Sequence, residues 1–307
     1  MADMRNQTFG VEIEMNNITR DKAAEIVARF FGTDHYENTA LRNGYSTWSA
    51  WDQQGREWKF QKDVSIYGDD AHKCEMVTPI LRYEDMEDLQ EIVRRLRHAG
   101  AKSYASRGCG VHIHIGADGH NARTLRNLTN IIASHEDLLI KALKIADSRT
   151  CAGGYCRPTD PRFLQAVNTK KPKTMADLAD VWYESQGCTG GRTAHYNPSR
   201  YHMLNLHATF TKGTVEFRLF QFDEPGRVYK GGLHAGKIKA YIQLCLALSN
   251  RAKEVRSAKA EKLISDNDKY TMRVWLLHLG FIGDEFKTAR DMLTRNLTGN
   301  AAHRRVA

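Results

Sequence analysis

The spacing of hydrophobic and polar positions changes period several times along the chain. Over residues 8–15 apolar side chains alternate with acidic ones, the two-residue period of a strand with one face turned from the core, and Glu12 and Glu14 share its polar face. From Thr19 to Phe31 the spacing becomes helical: Ala23, Ile26, Val27 and Phe30 fall on one side, and Gly32 marks the stop. Strands are predicted over 45–51 and 56–66 around a turn at Gly55, and over 74–78, where Pro79 ends the run. A helical stripe of Met86, Leu89, Ile92, Val93 and Leu96 fills 83–98 and closes at Gly100. Residues 109–116 read as another strand and 122–146 as a long helix.

Between 147 and 173 the periodicity breaks, and Gly, Pro and basic residues predict a long loop, a kind of segment that is uncommon without a task. Thr174 with Asp177 spells a capping box and a short helix. Strong alternation over 200–210 and 214–222, parted by Lys212 and Gly213, predicts a β-hairpin. A helix is expected over 232–252. Residues 253–307 carry only helical patterns, including 270–279 and 284–297. Strands interleaved with helices and hairpins, rather than in strict βαβ order, point to the α+β class with an antiparallel sheet. A main domain is expected over 1–252, with a helical extension over 253–307.

Composition narrows this picture. At 307 residues and 41% apolar content the chain can build one large core plus an appendage. It has no run of about 18 apolar residues, and residues 1–8 lack the apolar stretch of an export signal. A cytoplasmic protein without a membrane span is expected, its six unevenly spaced cysteines free thiols. The formal net charge of +9 implies a polyanionic ligand, nucleotide or nucleic acid. No zinc finger, RNP-like stretch or other recognition motif for nucleic acid is present.

The chemistry concentrates on strands. Three segments place two strong metal or phosphate groups at i and i+2, Glu12/Glu14, His112/His114 and Glu216/Arg218, and a fourth adds Glu75. Side chains two apart on a strand lie on one face, roughly 7 Å from each other. Each pair alone also fits a plainer role: a solvated acidic face, hydrogen-bonded histidines or a surface ion pair. Together they would crowd like charges around one sheet face, and cations would relieve the crowding. Such oxygen-rich sets select Mg2+, with Mn2+ competing where an imidazole joins, while zinc prefers His and Cys.

Four segments in order resemble the amidoligase family, a branch of the glutamine synthetase and glutamate–cysteine ligase superfamily: 10–14 (Gly-Val-Glu-Ile-Glu), 75–79 (Glu-Met-Val-Thr-Pro), 109–116 (Cys-Gly-Val-His-Ile-His-Ile-Gly) and 215–218 (Val-Glu-Phe-Arg). The resemblance covers roughly 8–250. It implies a glutamine synthetase-like catalytic domain, a curved antiparallel sheet with helices on its convex face and ATP and metals on its concave one. By similarity Glu12, Glu14, Glu75, His112 and Glu216 would be metal ligands, His114 would take a phosphate or outer role, and Arg218 would contact the transferring phosphate. Arg200, in the segment before the Glu-x-Arg strand, would assist at the nucleotide or instead form a structural salt bridge. The implied activity is an ATP- and Mg2+-dependent carboxylate–amine ligase that makes an amide or peptide bond through an acyl phosphate. Its partners would be small-molecule or peptide carboxylates and amines. The small N-terminal domain of glutamine synthetase has no counterpart before the first motif, so its ring assembly is not carried over and the oligomeric state stays open.

Asp63 is a candidate substrate contact or a turn cap. Arg149 and Arg157 make 147–173 a candidate cover for the active site, and Cys151 and Cys156 read as loop cysteines rather than zinc ligands. Two other classes stay open: a nucleic-acid-binding protein on a ligase-like scaffold, motivated by the charge and the basic tail, and another divalent-metal phosphoryl-transfer enzyme.

Overall fold

The structure is a computed structural model that describes residues 3–227 and 230–302. It is α+β, its strand pairings antiparallel, and its chain divides into two compact units: 8–113 with 220–239, and the described parts of 1–7, 114–219 and 240–307.

In the first of these, β1 (Phe9–Met15) leads into α1 (Arg20–Phe31), which stops at Gly32 in the left-handed region, φ 67°. Thr19 stands at the N-cap, though its side chain makes no capping bond. Then follow β2 (Tyr36–Asn38), the single turn α2 (Ala40–Asn43), β3 (Trp48–Trp51), β4 (Glu57–Gln61), β5 (Cys74–Val77), α3 (Met86–His98) and the start of β6 (Val111–Gly116). The strand order is β2-β3-β4-β5-β1. Register explains the chemistry: Phe60 pairs Met76 and Met76 pairs Ile13, while Gln61 pairs Glu75 and Glu75 pairs Glu14. The pleat therefore sends Phe60, Met76 and Ile13 to one face, where all are fully buried, and the polar row to the other. Helix α1 packs on β3 and β4, its Phe31 ring 5.5 Å from the buried Trp58. Each such side chain contributes on the order of 1.5–3 kcal/mol by leaving water. Strand β3 starts later than predicted because Tyr45 and Ser46 take positive φ (49° and 50°) in a turn closed by Thr47 N to Gly44 O at 3.0 Å, and β4 ends at Gln61, before a turn in which Ser65 N donates to Asp63 Oδ1 at 2.6 Å.

The second unit takes up the chain within β6. It holds α4 (Ala122–Leu143), the turn α5 (Asp147–Thr150), α6 (Pro161–Lys170), α7 (Met175–Ser185), β7 (Leu204–Asn205), α8 (His207–Lys212), all but the last residue of β8 (Thr214–Phe220), most of α9 (Ala235–Glu254), α10 (Asp268–His278) and α11 (Lys287–Thr294). Residues 253–302 belong here, and 303–307, part of the predicted helical tail, lie outside the described residues. The capping box forms as read: Thr174 Oγ1 accepts from Asp177 N and Asp177 Oδ2 accepts from Thr174 N, both at 3.1 Å.

Two expectations fail. The stretch 147–173 is not one loop, because α6 occupies 161–170 with Asp160 as its cap and Pro161 in its first turn, where the missing N–H costs nothing. Nor is 200–222 a hairpin. Strand β7 has two residues, and Gly213, φ 69°, ends α8 instead of turning a hairpin.

All six cysteines are free. Among the described residues no helix is long and apolar enough to cross a membrane.

Candidate active site

The first unit gathers carboxylates around an imidazole. Glu14 and Glu75 face each other across the β1–β5 pair, both buried, and His112 at the start of β6 is buried beside them. One ligand atom from each of the three lies within 4.8 Å of the others, a spacing that a single cation can span. Glu12, half-buried, meets His112 Nδ1 with its Oε2 at 3.1 Å, while His112 Nε2 lies 4.0 Å from Glu14 Oε1.

Supporting bonds leave one oxygen of each buried acid available. Gly110 N donates to Glu14 Oε2 at 2.6 Å and Gln61 Nε2 donates to Glu75 Oε2 at 2.7 Å. The backbone that presents Gly110 makes a close pass at Gly108, where a Cβ would fall 2.3 Å from the Ser65 carbonyl oxygen. Burial pushes the Glu75 carboxyl well above the usual carboxylate range, and the charges of Glu12, Glu14 and Asp63 push it further, against the Gln61 bond. Asp63 sits in the turn after β4 and accepts from Ser65 N at 2.6 Å, so it caps that turn while adding its charge to the cluster. A divalent ion would reverse this balance. The donor set, carboxylates with one imidazole, suits Mg2+ or Mn2+.

The second unit handles its acid differently. Glu216 and Arg218, both buried on β8, are joined by Arg218 Nη1 to Glu216 Oε1. Asn205 Nδ2 donates to Glu216 Oε2 at 2.6 Å, and Asn205 is itself fixed by accepting from His207 N at 2.9 Å. His114 Nδ1 shares a hydrogen bond with Thr214 Oγ1 at 2.9 Å, and its Nε2 lies 4.0 Å from Glu216 Oε1. Arg218 Nε donates to the Tyr155 carbonyl at 3.2 Å, and its Cζ lies 5.8 Å from the Tyr201 ring centroid. Arg149, buried, donates to the Arg218 carbonyl at 2.8 Å. The turn that carries Tyr155 requires Gly154, since a Cβ there would fall 2.2 Å from the Arg149 carbonyl oxygen.

Of the residues singled out from the sequence, Glu12, Glu14, Glu75, His112 and Asp63 belong to the first unit, and His114, Glu216, Arg218 and Arg149 to the second. Arg157 faces neither acid: it donates to the carbonyls of Tyr201 and Pro198 at 3.1 Å each. Among the described residues Arg200 has no ion-pair partner, and it donates to the His195 carbonyl at 2.7 Å. The sequence reading missed Gln61 and Asn205, the amides that orient the two buried glutamates. Gln61 carried a signal, two residues from Lys59 on a strand next to that of Glu75.

The chain is α+β and carries buried carboxylate, imidazole and guanidinium groups on its strands. The family model described as "Putative amidoligase enzyme" matches residues 5–249, and the chain belongs to that family of ligase-type enzymes. No protein of curated function matches it.

Proposed function

We propose that the protein is an ATP-dependent carboxylate–amine ligase that uses Mg2+ and forms an amide or peptide bond through an acyl phosphate. The observation that carries the reading is the buried Glu14–Glu75–His112 set, whose crowded negative charge has its natural complement in a divalent cation, in a chain of the amidoligase family.

Glu12, Glu14, Glu75 and His112 would hold metal, with Glu216 a further ligand. Bound Mg2+ supplies charge neutralisation on the polyphosphate oxygens. The substrate carboxylate attacks the γ-phosphorus of ATP, a new O–P bond forms and ADP leaves with the electrons of the bridging bond. An amine then attacks the acyl carbon, the C–N bond forms, and inorganic phosphate departs as the nitrogen loses a proton. Carboxylates are poor electrophiles, and phosphorylation provides the leaving group. Arg218, fixed by Glu216 and the Tyr155 carbonyl, would stabilise negative charge on the moving phosphoryl group, a contribution that depends on its being held in place beforehand. His114, oriented by Thr214, would assist at the phosphate.

Incubation with ATP, Mg2+ and pooled amino acids and peptides tests this. Phosphate release that requires both a carboxylate and an amine is expected. Release indifferent to both, or none under any pairing, sinks the proposal.

A further inference from the structure

Positive charge is unevenly placed along the chain. The second unit holds 27 Lys and Arg against 17 Asp and Glu, and the first 18 against 19. Within the second unit a run of it lies on an extended strap. After α9 ends at Glu254 the chain forms no helix or strand until Asp268, and 251–262 carries five basic residues and two acids. Helix α4 holds this strap by its backbone. Arg123 Nη1 donates to the Val255 and Arg256 carbonyls at 3.1 and 3.3 Å, Asn127 Nδ2 to the Val255 carbonyl at 2.9 Å and Asn130 Nδ2 to the Ala258 carbonyl at 2.9 Å. In return Ala258 N donates to Asn127 Oδ1 at 3.2 Å and Leu263 N to the Ser134 carbonyl at 2.9 Å. Positions 123, 127, 130 and 134 recur at the spacing of one helical stripe, so the strap is fixed along α4.

The fixed strap leaves its charges in solvent. Lys262 is taken by Glu136 and Asp137 at 2.7 and 3.0 Å. Arg251, Arg256 and Lys259 are exposed and, among the described residues, meet no acid; nor do Arg123 and Arg126 in the first turns of α4. The first turn of α4 carries Arg123 and no acid, an arrangement the helix dipole disfavours and a bound anion would relieve. Just past these cations stand Leu263 and Ile264, 38% and 94% exposed. Residues 251–269 contain no aromatic side chain.

We infer that this strap docks the protein on an anionic lipid surface, the basic row meeting charged headgroups while Leu263 and Ile264 enter the edge of the acyl layer. Cations alone would serve a nucleic acid equally well. Single-strand binding, however, takes aromatic rings on which bases stack, and the strap offers aliphatic side chains in their place. Each cation held near an anionic membrane strengthens partitioning on the order of fivefold, and an aliphatic side chain leaving water adds about tenfold. Stable yet reversible attachment takes two such signals together, and here both lie on one pinned segment.

The full-length protein is sedimented with phosphatidylcholine vesicles, with and without phosphatidylserine, at about 0.1 M salt, where charges act over about 10 Å. Binding to the phosphatidylserine vesicles is expected, at an affinity at least about tenfold above that for phosphatidylcholine alone. Arg256→Glu combined with Lys259→Glu should weaken it by roughly 25-fold or more, two lost cations at about fivefold each, and Ile264→Ser by about tenfold. All three positions are exposed, so the variants should keep the wild-type Tm. No binding to the anionic vesicles, equal binding to the neutral ones, or an affinity that either variant leaves unchanged overturns the proposal. A single-stranded oligonucleotide that binds more tightly than the vesicles, with no loss in Ile264→Ser, overturns it as well and makes the strap a nucleic-acid surface. No nucleotide or ligase substrate enters the measurement, so its outcome is independent of the ligase reading.

Discussion

Two buried glutamates on strands of the same chain are treated in opposite ways. Glu216 has its countercharge built in: Arg218 takes one oxygen and Asn205 the other. Glu75 has a single amide, Gln61, and is otherwise pressed by Glu12, Glu14 and Asp63. Burial is nearly the same, 1% exposed against 5%, so desolvation does not separate them; the sign of the neighbours does. Glu216 is partnered by a guanidinium within the folded chain, whereas the charges that act on Glu75 are those of neighbouring acids and would favour an added cation.

The largest effect expected from this contrast is at Glu216. Removing one partner of a buried ion pair strands the other, and Glu216→Ala should lower the stability by about 3–5 kcal/mol in urea unfolding. A loss below about 1 kcal/mol would show that Arg218 does not depend on this carboxylate and would break the comparison.

Glu75 should behave in the reverse sense. Glu75→Gln keeps the shape and the Gln61 bond but removes the crowded charge, and without divalent ions it should stabilise the protein by about 1–3 kcal/mol above the pH at which Glu75 ionises. The sign follows from linkage. A carboxyl raised in the folded state binds its proton more tightly folded than unfolded, so its favourable contribution is present below the ordinary carboxylate value of 4.5 and is lost as pH rises through the folded value. The wild type should therefore lose stability over that rise more steeply than Glu75→Gln. Added Mg2+ should raise the Tm of the wild type and leave that of the variant nearly unmoved. Parallel pH profiles for the two proteins would count against the assignment of the charge crowding to Glu75.

Much of this contrast was legible in the sequence, and the reason is periodicity. A two-residue period on β1, β6 and β8 fixes which side chains share a face, so Glu12 with Glu14, His112 with His114 and Glu216 with Arg218 could be paired without coordinates. The orienting amides could not, because neither Gln61 nor Asn205 belongs to a spacing that demands an amide; their roles come from cross-strand register, Gln61 opposite Glu75 and Asn205 opposite Glu216. The helix at 161–170 was hidden by the Gly- and Arg-rich stretch before it, although Asp160–Pro161 is a start signal. The hairpin error has a different origin. Alternation through Met203, Leu204 and Asn205 is real, but it continues into α8, and Gly213 serves a helix end as readily as a turn.

The smallest effect sharpens the comparison most, because it probes a hydrogen bond whose strength depends on the charge of its acceptor. Gln61 Nε2 donates to Glu75 Oε2 at 2.7 Å and favours the ionised carboxylate. Gln61→Leu should cost about 1 kcal/mol where Glu75 is ionised and less where it is protonated, since a bond to a charged acceptor is roughly twice as strong as one to a neutral group. In a double-mutant cycle with Glu75→Gln the coupling should fall by about half, because the amide at position 75 still accepts but carries no charge. A cost of Gln61→Leu that is the same on both sides of the Glu75 titration, and unchanged by Glu75→Gln, would mean that Gln61 serves packing on β4 alone and that the electrostatic contrast between the two glutamates has been overdrawn.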